Sequence, residues 1–595
     1  MSKKHFFSDG NGLVVKALEN LVNANPYLDF IPSEKVIYNP YHSKDKVSII
    51  SGGGSGHEPA WSSYVGNGML TAAVNGDIFA SPSAKQVLSA IKVSPSEKGV
   101  ILVITNYTGD KLHFGLACEK AKALSLIPSN AKIALLPITD DATLPKGSAS
   151  IDTVGRRGLA GNVLVLKVLG AYADSGKSFD ECMDLGRSMN ANTVTSGSSL
   201  DHCHVPGRSS HEEIPLDSCV LGMGIHNEKG LKQLTPIPQP EELVGMMINF
   251  LVDPADTTRS FVKFQPNDWV ILLVNNFGGL SELELSSLSR VATQVLNDKW
   301  NITPKRILSG TFETSLNGPG FSISLCNISN VARETKLSEQ YIFDLLNERC
   351  SVPGWPQYVA NDYKDLSRTV SEVDGISESN ADSHEKTTLV MDKERLKNII
   401  SHACQRAIDK EPKLTEWDTI MGDGDCGIAV KETSEKVLQL DDKVFSSNNV
   451  LEVLGHLIDI LDDMGGSLGA ILCIWLSSFT AYLSQHKLNA DGLDIKLNAA
   501  AAESAMNSLY QYTSARSGDR TVMDTLIPFC AELAKTHDLK KACEVARQAA
   551  ENTANLKAKF GRATYVVSAE KVQDPVPDPG AWAVYELIQG ITDLV

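Results

Sequence analysis

The stretch Lys46-Val-Ser-Ile-Ile-Ser-Gly-Gly-Gly-Ser-Gly-His-Glu-Pro59 sets the fold class of the first half of the chain. A short β-branched run, residues 47–50, ends in glycines that permit close backbone approach, and a helical pattern follows at 84–91. The alternation recurs further along: a strand-like run at 100–104, a helical segment at 114–124, and another strand-like run at 133–136. Strands alternating with helices predict an α/β layer structure with a largely parallel sheet. A polar, glycine-containing stretch, 192–210, interrupts the pattern before strand-like runs resume at 269–274 and 321–325. We therefore expect an α/β module over 1–356 built from two subdomains, about 1–195 and 196–356.

The whole chain has 595 residues, a formal charge of −17 and 42% hydrophobic residues. That composition is globular, and the length exceeds what one core serves. Residues 357–388 are rich in Asp, Glu, Ser and Asn with few large apolar side chains, which predicts a flexible linker. Beyond it apolar residues recur at helical spacing (Leu396, Ile399, Ile400, Ala403; Val450, Leu451, Leu454, Leu457), so 389–595 reads as all-helical. The carboxylate surplus repels a phosphate backbone and excludes nucleic acid as a partner. Eleven scattered cysteines without a CxxC pair read as reduced thiols. With no apolar run for a secretory signal at the start, a cytoplasmic location is expected. The longest apolar stretch, 468–483, contains Ser477, Ser478 and Thr480 and falls short of the ~18 uninterrupted apolar residues of a membrane span; it is expected to be a buried helix.

Four motifs carry chemistry. Gly54-Ser55-Gly56-His57 joins backbone N–H groups free to meet oxygen atoms with an imidazole able to move a proton. Asn106-Tyr-Thr-Gly-Asp110 follows a strand, where α/β sheets gather ligands, although Asp110 alone also reads as a helix N-cap. His226 closes a glycine-flanked apolar run, Gly222-Met-Gly-Ile-His226, and is a candidate nucleophile or base. Asp418, Asp423 and Asp425 lie within eight residues, and such carboxylates repel one another unless a cation neutralises them; magnesium bridging to phosphate is the expected role. The spacing excludes an EF-hand. Gly170 to Ser178 resembles a P-loop but has five residues between its glycines instead of four, and His202-Cys203-His204 lacks a distant ligand pair for zinc. Gly465-Gly-Ser467-Leu468-Gly469 and Asp578-Pro579-Gly580-Ala581 read as helix starts.

In this order and spacing the motifs resemble the ATP-dependent dihydroxyacetone kinases of the fused two-module type. The resemblance implies a homodimeric two-subdomain α/β module and a barrel of amphipathic helices that holds magnesium ions and ATP. By that likeness His226 adds to the carbonyl of dihydroxyacetone or glyceraldehyde as a hemiaminal. Gly54, Ser55, Gly56 and His57 form the substrate loop, and His57 and Asp110 hydrogen-bond or deprotonate the attacking hydroxyl. Asp418, Asp423 and Asp425 match the Mg2+ ligands. Cys426, Gly427, Ile428, Ala429, Ser467 and Leu468 match the phosphate side, while Arg562, Asp578, Pro579 and Gly580 match nucleotide-proximal elements. Two positions depart from the pattern: Thr105 stands where many relatives have lysine, and Thr513 where relatives often have glycine. The implied reaction is phosphorylation of dihydroxyacetone by Mg-ATP. The alternatives are a cyclising FAD-AMP lyase at the same nucleotide site and a non-catalytic ketone-binding regulator.

Overall fold

The computed structural model describes residues 4–147, 155–208, 213–356, 389–421, 424–464, 466–485, 494–559 and 575–595. The chain divides into two compact units, Met1–Arg368 and Thr369–Val595. The acidic stretch 357–388, expected as a linker, lies outside the described residues.

The first unit contains two six-stranded sheets. The first comprises β1 (Asp29–Ile31), β2 (Val36–Tyr38), β3 (Ser48–Ser55), β4 (Ala72–Ile78), β5 (Gly99–Thr105) and β6 (Lys132–Ile138), in the order β1-β2-β4-β3-β5-β6. Its β4-β3-β5-β6 portion is parallel and its β1-β2 edge antiparallel. Gly52, Gly53 and Gly54 lie inside β3, all eight of whose residues are buried, and Gly56 follows the strand. They permit tight strand approach: a Cβ on Gly52 would stand 2.3 Å from the Val74 carbonyl oxygen.

The second sheet comprises β7 (Thr193–Ser199), β8 (Cys219–Leu221), β9 (Lys232–Leu234), β10 (Val270–Asn276), β11 (Arg306–Gly310) and β12 (Gly320–Asn327), ordered β11-β10-β12-β7-β8-β9. Only the β10–β11 pair is parallel. Here the polar stretch 192–210 is corrected: its first part is β7, an interior strand buried throughout. Its hydroxyls are paired internally, Thr193 to the Met189 carbonyl at 2.7 Å and Thr195 to Asp140 at 2.5 Å, so polar side chains can occupy a core strand. One core joins Ile49, Ile101 and Val103 of the first sheet to Ile271 and Leu273 of the second, with the helix Asn162–Asp174, buried from Asn162 to Ala173, among them. The P-loop-like segment is the end of that helix and a turn, and Ser178 caps the next helix, Phe179–Ala191.

In the second unit eight α-helices form a closed ring among the described residues. Successive neighbours pack together, and the last, Pro579–Thr592, returns against the first, Lys393–Met421. An apolar cavity of about 410 Å³ lies within it. The stretch 468–483 belongs to the helix Gly466–Gln485, but the expectation of a buried helix is corrected: only Gly469, Cys473 and Leu483 are buried. Leu468, Leu472, Trp475, Leu476 and Phe479 line the cavity, so its apolarity serves an inner wall with space beside it and not a close-packed core. By length and composition alone this helix is long enough to cross a membrane; it packs between Val450–Asp462 and Ile495–Leu509.

The helix Cys426–Leu438 crosses the first helix at Gly427. A Cβ there would stand 2.3 Å from Thr415 Oγ1 and 2.6 Å from the Thr415 main-chain nitrogen. Backbone cannot yield as a side chain does, so Gly427→Ala is expected to cost about 1–3 kcal/mol. Calorimetry of the full chain should show earlier melting of the helical unit, and an unchanged melt would mean that the crossing relaxes freely.

Candidate active site

β3 carries Ser55 to the carboxyl end of the first sheet, directly before Gly56 and His57. β5 ends at Thr105, and the helix Thr108–Ala123 then places Asp110 in its first turn. His226 arrives in the turn after β8 of the second sheet. The two imidazoles meet with their Nε2 atoms 3.0 Å apart and their rings near perpendicular. His57 Nδ1 stands 2.7 Å from the Thr314 carbonyl oxygen, which can only accept, so Nδ1 carries the hydrogen. Burial, then the neighbouring His226, lowers His57 to about 3.

His226 Nδ1 faces Glu228 Oε1 at 3.2 Å, and Glu228 Oε2 accepts the His226 main-chain N–H at 2.8 Å. Burial pushes Glu228 upward, but the hydrogen bond and charge of His226, with Arg157 behind, bring it down to about 2. An ionised carboxylate only accepts, so His226 Nδ1 also carries a hydrogen. Both Nε2 lone pairs would then face each other, and one proton must lie between them. The geometry of the pair suits a proton shared between the two Nε2 atoms.

Aromatic rings enclose the pair. Phe79 lies 5.2 Å from each imidazole and Tyr107 4.6 Å from His226, centroid to centroid. Gly56, at φ +105°, makes room for Phe79: a Cβ there would come within 2.8 Å of the ring. Its N–H is taken by Glu58, and the Ser55 hydroxyl donates to the Gly76 carbonyl at 2.9 Å. A Cβ on Gly54 would crowd the Phe79–Ala80 backbone. Thr105 is buried beside Gly158. Asp110 is not an N-cap; that position belongs to Tyr107, which forms no side-chain cap bond. Asp110 is buried, with Oδ1 unpartnered among the described residues, and burial raises its pKa despite Ser81 and His226.

A second cluster gathers at one end of the helical unit. Asp418 Oδ2 accepts the Cys426 N–H at 3.0 Å, fixing the start of the helix that Asp425 precedes. Burial above all, with the charges of Asp418, Asp578 and Asp425 adding, drives the Cys426 thiol to about 12. Asp578 caps the helix Pro579–Thr592 through the Ala581 N–H at 2.8 Å; burial above all, with Asp524 and Asp418 adding, raises it to about 6. Crowded carboxylates of this kind suit a divalent cation, whose charge relieves their repulsion. Among the described residues no three such side chains form a ready-made metal cage, and Asp423 lies outside them. Arg562 and the glycines 422, 465 and 561 also lie outside. Ile428 is exposed and Ala429 half-buried in the first turn of the helix, Ser467 is exposed, and Leu468 lies near Gly580, next to Pro579. Thr513 is in a turn, its hydroxyl accepting the Ala515 N–H at 3.1 Å; no described contact carries it to the cluster.

Several residues at these sites carried no distinguishing signal in sequence. Phe79 and Arg157 lie in unremarkable contexts, while Glu228 was visible two residues after His226. Arg520, buried and donating to the Thr553 and Val576 carbonyls at 3.1 and 2.7 Å, and Asp524, which accepts the Gly518 and Thr521 N–H groups, join the second cluster.

An α/β unit with a paired, largely buried histidine site, followed by a closed helical ring with a carboxylate cluster, is the layout of a two-module phosphotransferase. The Dak1 domain model matches residues 19–350 and the DAK2 domain model residues 420–593. Dihydroxyacetone kinase of Pichia angusta is 39% identical over 100% of this chain and 98% of the relative. Triokinase/FMN cyclase of Mus musculus is 30% identical over 100% of this chain and 99% of its own. Among solved structures, the dihydroxyacetone kinase of C. freundii in complex with AMP-PNP and Mg2+ matches with a TM-score of 0.65 at 25% identity, covering 100% of both chains. The chain belongs to the dihydroxyacetone kinase family.

Proposed function

We propose that the chain transfers the γ-phosphoryl group of ATP, with Mg2+, to dihydroxyacetone, and to glyceraldehyde as a second acceptor. The observation that supports this most is His226 held between His57 and Glu228, near enough to Asp110 for its charge to act there. A nucleophilic imidazole beside a carboxyl group able to take a hydroxyl proton suits a substrate that has both a carbonyl and an alcohol. In this reading His226 Nε2 tethers the ketone as a hemiaminal and Asp110 accepts the proton of the terminal hydroxyl. His57 orients that hydroxyl, while Gly54, Ser55, Gly56 and Thr105 shape the wall.

Asp418, Asp423 and Asp425 hold the metal, which when bound neutralises the triphosphate charge. Asp418 already occupies the Cys426 N–H, so the next first-turn N–H groups, of Gly427 and Ile428, are the ones positioned to take phosphate oxygens, with Ala429 beside them. Ser467 and Leu468 close the phosphate side; Thr513, Arg562, Asp578, Pro579 and Gly580 flank the nucleotide.

A coupled ATP assay with dihydroxyacetone, glyceraldehyde and glycerol side by side tests the reading. Turnover of the first two with little of glycerol is expected, since glycerol has no carbonyl to tether. Equal turnover of glycerol overturns the tether, and ketone binding without ATP turnover favours a regulator. The mouse relative's name supports a second reading, cyclisation of FAD at the same nucleotide site with release of AMP. Incubation with FAD and Mn2+ and analysis for cyclic riboflavin phosphate decides it. We place the chain in the cytosol, since all eleven cysteines are free, and read it as a homodimer, as the family implies. A monomer mass by light scattering counts against the dimer.

A further inference from the structure

Behind His226 runs a chain of charged groups that the reaction outlined above does not use. Arg157 donates through Nε and Nη2 to Asp141 Oδ2 at 2.8 and 2.7 Å. Its Nη2 also reaches the Gly222 carbonyl at 3.0 Å, at the entrance to the turn that bears His226. Asp141 is itself fixed: Oδ1 accepts the Thr143 N–H at 2.9 Å, and its main-chain N–H donates to the Arg157 carbonyl at 3.0 Å. The adjacent Asp140 accepts the Leu159 and Gly161 N–H groups at 2.7 and 2.9 Å, so two consecutive buried carboxylates anchor the segment on which Arg157 sits.

Arg157 and Glu228 converge where Gly224 has no side chain. A Cβ there would stand 2.1 Å from Glu228 Oε2 and 2.7 Å from Arg157 Nη1. The carboxylate is held in one orientation, with Oε2 on the His226 main-chain N–H and Oε1 toward Nδ1, while Arg157, itself fixed by Asp141, stands close by on the Gly224 side.

We propose that Glu228, oriented by the Asp141–Arg157 pair, is the positioning residue that makes His226 a nucleophile toward a carbonyl carbon. This rests on the tether reading of His226 given above. Glu228 keeps the hydrogen on Nδ1, which directs a lone pair at Nε2 toward the substrate once the shared proton moves. In the adding step the Nε2 lone pair forms the N–C bond, and the C=O π pair moves to oxygen. That oxygen takes the proton shared between the His57 and His226 Nε2 atoms. The substituted imidazolium retains its Nδ1 hydrogen on Glu228, whose negative charge balances it, so charge and protons are conserved across the step.

The test is binding of [2-13C]dihydroxyacetone to the full chain without nucleotide, read by 13C NMR as conversion of a ketone carbon to an sp3 adduct carbon. Wild type should show the adduct. Glu228→Gln removes a charged hydrogen-bond acceptor and should lower the adduct equilibrium constant on the order of 10–100-fold. Gly224→Ala, which displaces the same carboxylate without removing it, should lower it in the same direction and covers the case in which Glu228→Gln does not fold. Glu228→Asp should recover part of the loss, which a role in packing alone does not explain. An adduct constant within twofold of wild type in folded Glu228→Gln or Gly224→Ala overturns the proposal and leaves the tether standing. Absence of the sp3 signal in wild type overturns the tether and this proposal with it.

Discussion

Replacing His226 by alanine is expected to lower kcat/KM for dihydroxyacetone on the order of 10³-fold while leaving the small turnover of glycerol within about threefold. The asymmetry follows from the adduct proposed above. Tethering converts an encounter of two mobile groups into a step within one molecule, and effective molarities show that this can supply several kcal/mol. Glycerol lacks the carbonyl and never receives that contribution, so it loses nothing when the imidazole goes. A role for His226 confined to packing predicts another pattern. Its ring contacts with His57, Phe79 and Tyr107 would be lost for both acceptors alike, and both rates would fall together. Steady-state kinetics with the two acceptors on His226→Ala therefore discriminates directly: a dihydroxyacetone-to-glycerol ratio equal to that of wild type rules the tether out.

The α/β and all-helical halves were legible because hydrophobic period is a local property. Runs such as 100–104 and 133–136 advertise buried strands, and the 3.6-residue recurrence from Leu396 onward advertises helices. β7 was not legible, because Thr-Val-Thr-Ser-Gly-Ser-Ser has the composition of a loop. Its burial depends on partners far away in sequence, Asp140 and Ser324 for Thr195, that no local window contains. The helix Gly466–Gln485 failed for a related reason: apolarity announces that a surface avoids water, but not whether it meets packed side chains or a cavity.

Around the histidine pair, His57, Asp110 and His226 were readable as separate motifs because each sits beside glycines or a strand end, where sequence marks unusual backbone. What surrounds them was not. Phe79 enters only because Gly54 and Gly56 lack side chains where the Phe79–Ala80 segment passes. Arg157 enters through an ion pair across sixteen residues, and Glu228 acquires its meaning only once Arg157 is beside it. Such groups are selected by tertiary proximity, and proximity leaves no trace in spacing along the chain.

Asp110→Asn is the complementary experiment, because it should separate transfer from tethering. The substitution is nearly isosteric and keeps an oxygen to accept from Ser81, which hydrogen-bonds to the carboxyl. It removes the ability to take a proton. Burial holds the Asp110 pKa above the usual carboxylate range, which brings a carboxyl base nearer to the hydroxyl it must deprotonate, and Oδ1 has no competing partner among the described residues. Loss of a positioned base costs about 10²–10⁴-fold, so kcat for dihydroxyacetone should fall by that range with KM little changed. The adduct on His226 should persist, since its formation uses the proton between the two histidines and none from Asp110. The 13C signal of the tethered ketone should therefore remain in Asp110→Asn while phosphate transfer fails, the reverse of His226→Ala. A kcat within tenfold of wild type removes Asp110 from the proton-accepting role.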